Sequence, residues 1–306
     1  MTRPAWFERC DRTRILIHGP DRAKFLHNLT TNEVKRLAPG EGREAFVTSP
    51  QGKTLGWIQY QILRESILVR LDAPCRDACL AHLSKYGVFD DVQLEEIGDR
   101  TFEIVVAGPG VELEPAFGSV GLPEKPQSVV DLGDGLLAIR DDPTGSGGLT
   151  FVGPGEARTR LAPILGDPMT PEAFEASRIE AGTPVFGADI GPNHLPQEVG
   201  RDGLAINFVK GCYLGQETVA RLDALGHVNK LLVALEGDPD AEVPPAGSKL
   251  ERAGVEVGIL SSSARSRGRA VGLGYVKVPM ISPGDRIDAV WETGRAVVRV
   301  TTPPVR

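Results

Sequence analysis

Apolar and polar positions change period along the chain, and the changes mark the elements. Arg14–His18 (R-I-L-I-H) is a short apolar run that predicts a strand. Gly19-Pro20-Asp21 then signals a helix start, with Pro at the first helical position and an acid in the first turn. Phe25, Leu26 and Leu29 supply that helix with one apolar face. Ala38-Pro39-Gly40 makes a turn. Ala45–Ser49, Thr54–Leu63 and Ile67–Leu71 predict strands, divided by Pro50-Gln51-Gly52 and Arg64-Glu65-Ser66. A helix over Pro74–Tyr86 and a strand near Val92–Ile97 complete a β-α-β-β-β-α-β run. Strands and helices mix without strict alternation, which favours an α+β class over a doubly wound parallel sheet.

A second stretch repeats this order loosely. Thr101–Ala107 predicts a strand, and the Gly-, Pro- and Glu-rich residues 108–127 a surface loop. Ser128–Leu132, Leu136–Arg140 and Leu149–Val152 predict strands, and Gly155–Leu165 a helix. The order makes this a degenerate second copy of the first module. Thr170-Pro171-Glu172 opens a further helix with Thr170 as N-cap. Gly182 closes it, and an irregular stretch over Thr183–Phe208 leads to a helix that begins at Gln216. Gly237–Gly247 is polar and predicts a linker. Beyond it, Val255–Leu260, Ala270–Val276, Arg286–Trp291 and Ala296–Thr301 are short strand patterns broken by turn signals, the pattern of a small β-barrel. The expected division is 1–98, 99–170, a connecting segment 171–229, and 230–306.

Composition changes this picture little. The chain has 306 residues, 41% of them hydrophobic and 25% charged, enough to bury a core without staples. A net charge of -7 disfavours bulk contact with nucleic acid. No stretch approaches the ~20 apolar residues of a membrane span, and the start of the chain has no apolar signal core. A cytoplasmic setting is expected. There, Cys10, Cys75, Cys79 and Cys212 are expected to be thiols, too few and too scattered for a disulfide framework.

The candidate chemistry centres on Lys210-Gly211-Cys212-Tyr213-Leu214-Gly215-Gln216-Glu217. Two glycines flank a thiol that lies just before a predicted helix N-terminus, beside a lysine. Both neighbours favour a thiolate, so Cys212 is a candidate reactive thiol with Lys210 as its activator. The alternative is a small buried cysteine in a Gly-rich turn. Cys75, Cys79 and His82 share a helix face and form either a three-ligand metal site or, more simply, two buried cysteines and a surface histidine. The loop Asp142–Gly148 lacks the Lys-Ser/Thr ending of a phosphate cradle. His18, His27, His194 and His227 have no metal spacing. Arg265, Arg267 and Arg269 form a basic loop, either solvated or a dock for an anionic tail.

Four stretches together resemble one family. Lys210–Glu217 resembles the signature of the YgfZ family, folate-binding relatives of the aminomethyltransferase of the glycine cleavage system. His18–Val34 resembles that family's N-terminal helix and Thr-Asn turn, Ser177–Ile190 its R-x-E-A-G…G-x-D stretch, and Gly272–Val276 a strand of its C-terminal barrel. The resemblance implies a three-domain ring of two ferredoxin-like α+β modules and a β-barrel around a folate pocket. It implies tetrahydrofolate as ligand, held by Arg178 (through the glutamate moiety), Tyr213, Gln216 and Glu217. No stable metal is expected. It also implies service to iron–sulfur cluster assembly or repair, with iron–sulfur enzymes or assembly proteins as partners and only an indirect link to tRNA modification. Two departures stand out. Where the aminomethyltransferases carry a catalytic aspartate, the matching stretch is Gly52–Ile58, with Gly56 and Trp57 in its place. Where they carry a glutamate after a Gly-rich loop, this chain has Thr150. Two alternatives remain open: an active one-carbon transferase with another acid, Asp90 and Asp91 being nearest in sequence, and a non-catalytic protein–protein adaptor.

Overall fold

The structure, a computed structural model, describes residues 3–108, 114–226 and 228–301. Its strands and helices run in chain order as β1 (Trp6–Glu8), β2 (Arg12–His18), α1 (Arg22–Leu29), β3 (Gly42–Thr48), β4 (Thr54–Ile62), β5 (Ile67–Asp72), α2 (Arg76–Tyr86), β6 (Gln93–Glu96), β7 (Thr101–Val106), α3 (Glu114–Phe117), β8 (Val129–Asp131), β9 (Leu137–Ile139) and β10 (Leu149–Pro154). There follow α4 (Pro171–Glu180), α5 (Asp202–Ala205), α6 (Gln216–Leu225), β11 (Lys230–Pro239), β12 (Lys249–Arg252), β13 (Val255–Ser266), β14 (Arg269–Lys277), β15 (Arg286–Trp291) and β16 (Gly294–Thr301). The α+β class with a C-terminal barrel is as the sequence predicts.

The first sheet has the order β3-β4-β5-β2-β6, antiparallel throughout. Without the edge strand β3 this is the ferredoxin-like arrangement, in which the first strand lies between the third and fourth. Alternation along β2 decides what each face meets. Ile15 and Ile17 join Phe25, Leu26, Cys79 and Leu83 in the core beneath the helices. Arg12, Arg14 and Leu16 face the other way, toward the second sheet.

That second sheet has the order β1-β7-β10-β9-β8, the same arrangement strand for strand, with one substitution. The place of the fourth strand is taken by β1, which comes from the N-terminal end of the chain and pairs antiparallel with β7. The first module's α1 has only the four-residue α3 as its counterpart, and its α2 a 3-10 helix over Gly155–Leu161. An α-helix was expected over Gly155–Leu165; Pro163 cannot donate the hydrogen bond that would continue it.

The two sheets meet face to face across Leu68, Val129, Leu137, Ile139 and Val152. Beside this apolar patch lies a buried ionic layer. Glu103 on β7 accepts from Arg12 at 3.0 Å and Arg70 at 2.9 Å, and Arg70 also pairs with Asp141 at 2.7 Å. The last six strands close into a barrel, β11-β14-β13-β12-β15-β16, around Leu235, Leu250, Val257, Leu260, Ile287 and Val298. Two of them, β11 and β12, were not expected, and the polar linker begins only after β11 has run through Gly237 to Pro239. Among the described residues no helix is long and apolar enough to cross a membrane.

Candidate functional site

Where the two modules meet the connecting segment, the fold leaves a cavity of about 250 Å³. Glu44, Trp57 and Gln59 line it from β3 and β4, Arg140, Asp141 and Asp142 from the loop after β9, and Thr183 and Arg201 from the connecting segment. Its central feature is a buried cluster. Glu44 accepts from Arg201 Nε at 3.0 Å and from Trp57 Nε1 at 3.1 Å. The Arg201 guanidinium lies 5.1 Å from the Trp57 ring centroid, a cation–π contact. Burial pushes the Glu44 carboxyl above its ordinary pKa although Arg201 opposes this. On the facing wall, Asp141 is partly buried, which disfavours ionisation, yet Arg70 and Arg12 outweigh that and hold its carboxyl below the usual range. Asp142 folds the Gly-rich loop by accepting from the backbone N–H of Thr144 at 3.1 Å and from that of Gly147.

Of the cavity residues, the sequence singles out only Trp57, at the position of the aspartate that the family resemblance implies, and the Gly-rich loop that begins at Asp142. The Trp57 side chain lines the cavity. Gly56 beside it has another reason to be glycine: an added Cβ would lie 2.3 Å from Cys79 Sγ.

The residues expected to act together are divided by the fold. Cys212 is exposed and lines a separate groove of about 420 Å³ with Phe25, Asn28, Tyr86, Asp90 and Tyr213. Lys210 is buried, and its ammonium donates to the carbonyls of His27 at 2.6 Å, Thr30 at 2.5 Å and Asn32 at 2.7 Å. It also sits 4.9 Å from the Tyr213 ring centroid. Burial lowers its pKa to about 7. With all three protons engaged by carbonyls, Lys210 fastens the motif to the end of α1 rather than serving the thiol. Leu214 extends that attachment, donating to the Asn28 carbonyl at 2.9 Å and accepting from Thr48 Oγ1 at 2.6 Å. Tyr213 is buried, which raises its phenol pKa, and Glu217 is exposed in the first turn of α6. Neither these two nor Gln216 lines the central cavity.

Arg178 is 2% exposed. Its guanidinium donates to Glu175 at 2.8 Å, Asp189 at 2.7 Å, the Thr183 carbonyl at 3.1 Å and Ser262 at 2.9 Å. Asp189 in turn accepts from Ser261 at 2.6 Å and Ser262 at 2.7 Å. The arginine and aspartate of the R-x-E-A-G…G-x-D stretch are thus partners of each other. Together they tie α4 and the connecting segment to β13, and every guanidinium nitrogen is engaged by protein.

The remaining candidates are structural or peripheral. Cys75 and Cys79 are buried, and so is His82, expected at the surface, whose ring lies tilted against that of Tyr86 at 4.8 Å between centroids. Among the described residues no group of three or more His, Cys, Asp or Glu is arranged to hold a metal ion. Arg267 and Arg269 pair with Glu180 and Glu236. Asp90 pairs with Lys24 at 2.8 Å and lines the Cys212 groove, not the central cavity. His227 lies outside the described residues.

Comparison with known proteins defines the class first. Over 100% of this chain and 87% of the other, the fold superposes with a TM-score of 0.85 and 20% identity on the glycine cleavage system aminomethyltransferase T from Bartonella henselae. The architecture is therefore that of the aminomethyltransferases. No family model matches the chain. Among curated proteins, it is 28% identical to a putative chloroplastic transferase of Arabidopsis thaliana, covering 90% of this chain and 65% of that protein. It is 27% identical to the tRNA-modifying protein YgfZ of Blochmanniella pennsylvanica, over 78% of this chain and 74% of that one. It is 24% identical to a mitochondrial iron–sulfur cluster assembly factor homologue of Phaeosphaeria nodorum, over 85% and 64%. The chain thus spans just under two thirds of the length of the plant and fungal relatives. The chain thus shares the aminomethyltransferase fold and, at 24–29% identity, is similar in sequence both to YgfZ proteins and to aminomethyltransferases.

Proposed function

We propose that the chain binds a reduced folate in the cavity between the modules and serves iron–sulfur cluster assembly or repair through the surface that carries Cys212. The observation that carries this reading is the separation of the two features: a cavity lined by several charged side chains and an exposed thiol, with no lining residue in common. Tetrahydrofolate has a pterin head whose pyrimidine ring is flat and carries N–H donors along one edge, and a tail that ends in carboxylates. The cavity lining suits that chemistry. Glu44 and Asp141 offer acceptors, Trp57 a flat apolar face, and Arg140 a cation for a carboxylate. Bound folate would supply a carrier nitrogen for one-carbon units. The chain's own part is to hold the acceptors in place. Arg201 and Trp57 fix the Glu44 carboxylate, and Asp142 fixes the loop that forms the opposite wall.

The names of the YgfZ and fungal relatives support the second half of the proposal, a role connected with iron–sulfur cluster assembly and tRNA modification. One exposed cysteine cannot complete a four-thiolate cluster site. A cluster at Cys212 would share ligands with a partner, an iron–sulfur enzyme or assembly protein. The acidic charge suits contact with protein rather than RNA, and the cytosol suits a free exposed thiol.

A second reading rests on Glu44, a carboxyl raised by burial inside the cavity of an aminomethyltransferase fold. It is an acid able to stand in for the aspartate that Gly56 and Trp57 replace, in a one-carbon transfer. One set of variants tests both readings. Tetrahydrofolate is titrated calorimetrically into wild type, Glu44→Gln and Cys212→Ala, and each is assayed for rescue of an iron–sulfur-dependent tRNA thiomethylation defect. The expected pattern is tight binding by wild type, at least tenfold weaker binding by Glu44→Gln, and wild-type binding without rescue by Cys212→Ala. Absence of binding by wild type, with full rescue by Cys212→Ala, would reject the proposal in favour of an adaptor. Folate-dependent release of formaldehyde from an aminomethyl donor, lost in Glu44→Gln, would establish the second reading.

A further inference from the structure

A second pocket, of about 290 Å³, opens on another part of the molecule between α5, α6 and the start of the barrel. Leu222, Leu231 and Val278 give it aliphatic walls, and Gln197, Asp202 and Asp223 line it as well. Gln197 is 5% exposed. Its Nε2 donates to the Val219 carbonyl at 2.7 Å, which leaves Oε1 buried with no hydrogen-bond partner. Asp202 Oδ1 is buried and unpartnered too. Two unsatisfied oxygens on side chains of one pocket are a cost that a fold carries rarely and for a reason. Neither Arg201 nor Lys230 relieves it. Arg201 is committed to Glu44 at 3.0 Å, and Lys230 lies 3.8 Å from Glu198. Burial, and then the charge of Asp223, lift the Asp202 carboxyl to a pKa of about 6.

The pocket therefore offers acceptors and negative charge, with aliphatic walls. A hard divalent cation asks for six or more oxygens around a small sphere, and this pocket is several times the ~30 Å³ share of a single water. A cation with an apolar stem matches both its polar and its aliphatic linings. We infer that this pocket binds a primary alkylammonium group, its head received by Asp202, Asp223 and Gln197 Oε1 and its stem by Leu222, Leu231 and Val278. Such a group is found on free aliphatic diamines and on the lysine side chains of other proteins.

Calorimetric titration of the full chain with putrescine, with the peptide Gly-Lys-Gly and with magnesium chloride tests the inference, using wild type, Asp202→Asn and Asp223→Asn. Both substitutions are near-isosteric and remove charge, so the fold is kept. At least one amine should bind wild type, and each variant should weaken that binding at least tenfold. Binding of putrescine alone would mark a free diamine as the ligand, and binding of the peptide alone a partner's lysine. Failure of both amines to bind, affinity indifferent to both substitutions, or binding of magnesium in place of the amines would overturn the inference.

Discussion

At the scale of single residues, the most informative outcome concerns Arg178. The arginine of the R-x-E-A-G stretch suggests ligand recognition when only the motif is visible. The fold pairs it instead with Asp189, which is fully buried. Replacing Arg178 by alanine would leave that carboxylate buried with only the hydroxyls of Ser261 and Ser262 and the Val185 N–H to satisfy it. Breaking a buried pair from one side typically costs about 3–5 kcal/mol. Urea denaturation of Arg178→Ala should show a loss of that order, and any folate that still binds the folded fraction should bind with near wild-type affinity. A variant of unchanged stability with abolished folate binding would instead make Arg178 a ligand contact. Lys210 follows the same logic. Its sequence position beside a thiol suggests activation, while its three carbonyl acceptors lie in the last turn of α1 and the connection that follows it. In neither case does the residue type alone tell whether the charge faces a ligand or the protein's own backbone.

At the scale of elements, the short segment Leu214–Gln216 fixes α6 against the first module. Gly215 has φ +85°, and an added Cβ would lie 2.4 Å from the Ser49 carbonyl oxygen. A backbone atom cannot swing aside as a side chain can. Gly215→Ala should therefore combine left-handed strain, about 1–3 kcal/mol, with displacement of the motif. Hydrogen exchange over residues 210–219 should quicken selectively, while the barrel keeps its protection. Equal quickening throughout the chain would contradict a local anchoring role. The elements themselves were largely legible in the sequence where an apolar run is bounded by turn signals, as in β2, β4 and β5, or where apolar residues recur at helical spacing, as in α1. β12 was hidden by its polar composition, K-L-E-R, which pairs on both sides yet buries only Leu250. β1 was hidden because three residues give no period at all, and its partner β7 lies about a hundred residues away. The motif around Cys212 was legible as a site of interest. The central cavity was not, because its lining comes from three segments whose only relation is spatial.

At the scale of the whole molecule, the two modules are joined by charge as well as by apolar contact. Arg9, Arg12, Arg14 and Arg70 converge on Glu103, Asp72 and Asp141 between the sheets. Arg9 follows β1, so the strand that completes the second sheet also leads into the ionic layer. Glu103 lies at the centre of that layer. Its burial opposes ionisation, but Arg12, Arg70, Arg9 and Arg14 outweigh the penalty and hold its pKa at about 2. The folded pKa lies below the ordinary value of 4.5, so the native state holds fewer protons there than the unfolded chain. The resulting stability is complete above pH 4.5 and is lost progressively as the pH falls toward 2. Glu103→Gln removes the charge at nearly constant shape. It should lower stability at pH 7 by about 3–5 kcal/mol, because three buried guanidinium groups, those of Arg12, Arg14 and Arg70, lose their shared carboxylate. It should also flatten the dependence of stability on pH between 4.5 and 2. Urea midpoints taken across that range for both proteins decide the matter. A variant that keeps the wild-type slope would show that other carboxylates set the acid limit, and one of undiminished stability at pH 7 would show that apolar contact alone joins the modules. The cavity between the modules shares Asp141 with this layer, so loosening the layer should also weaken whatever binds there, without any change to a residue that touches it.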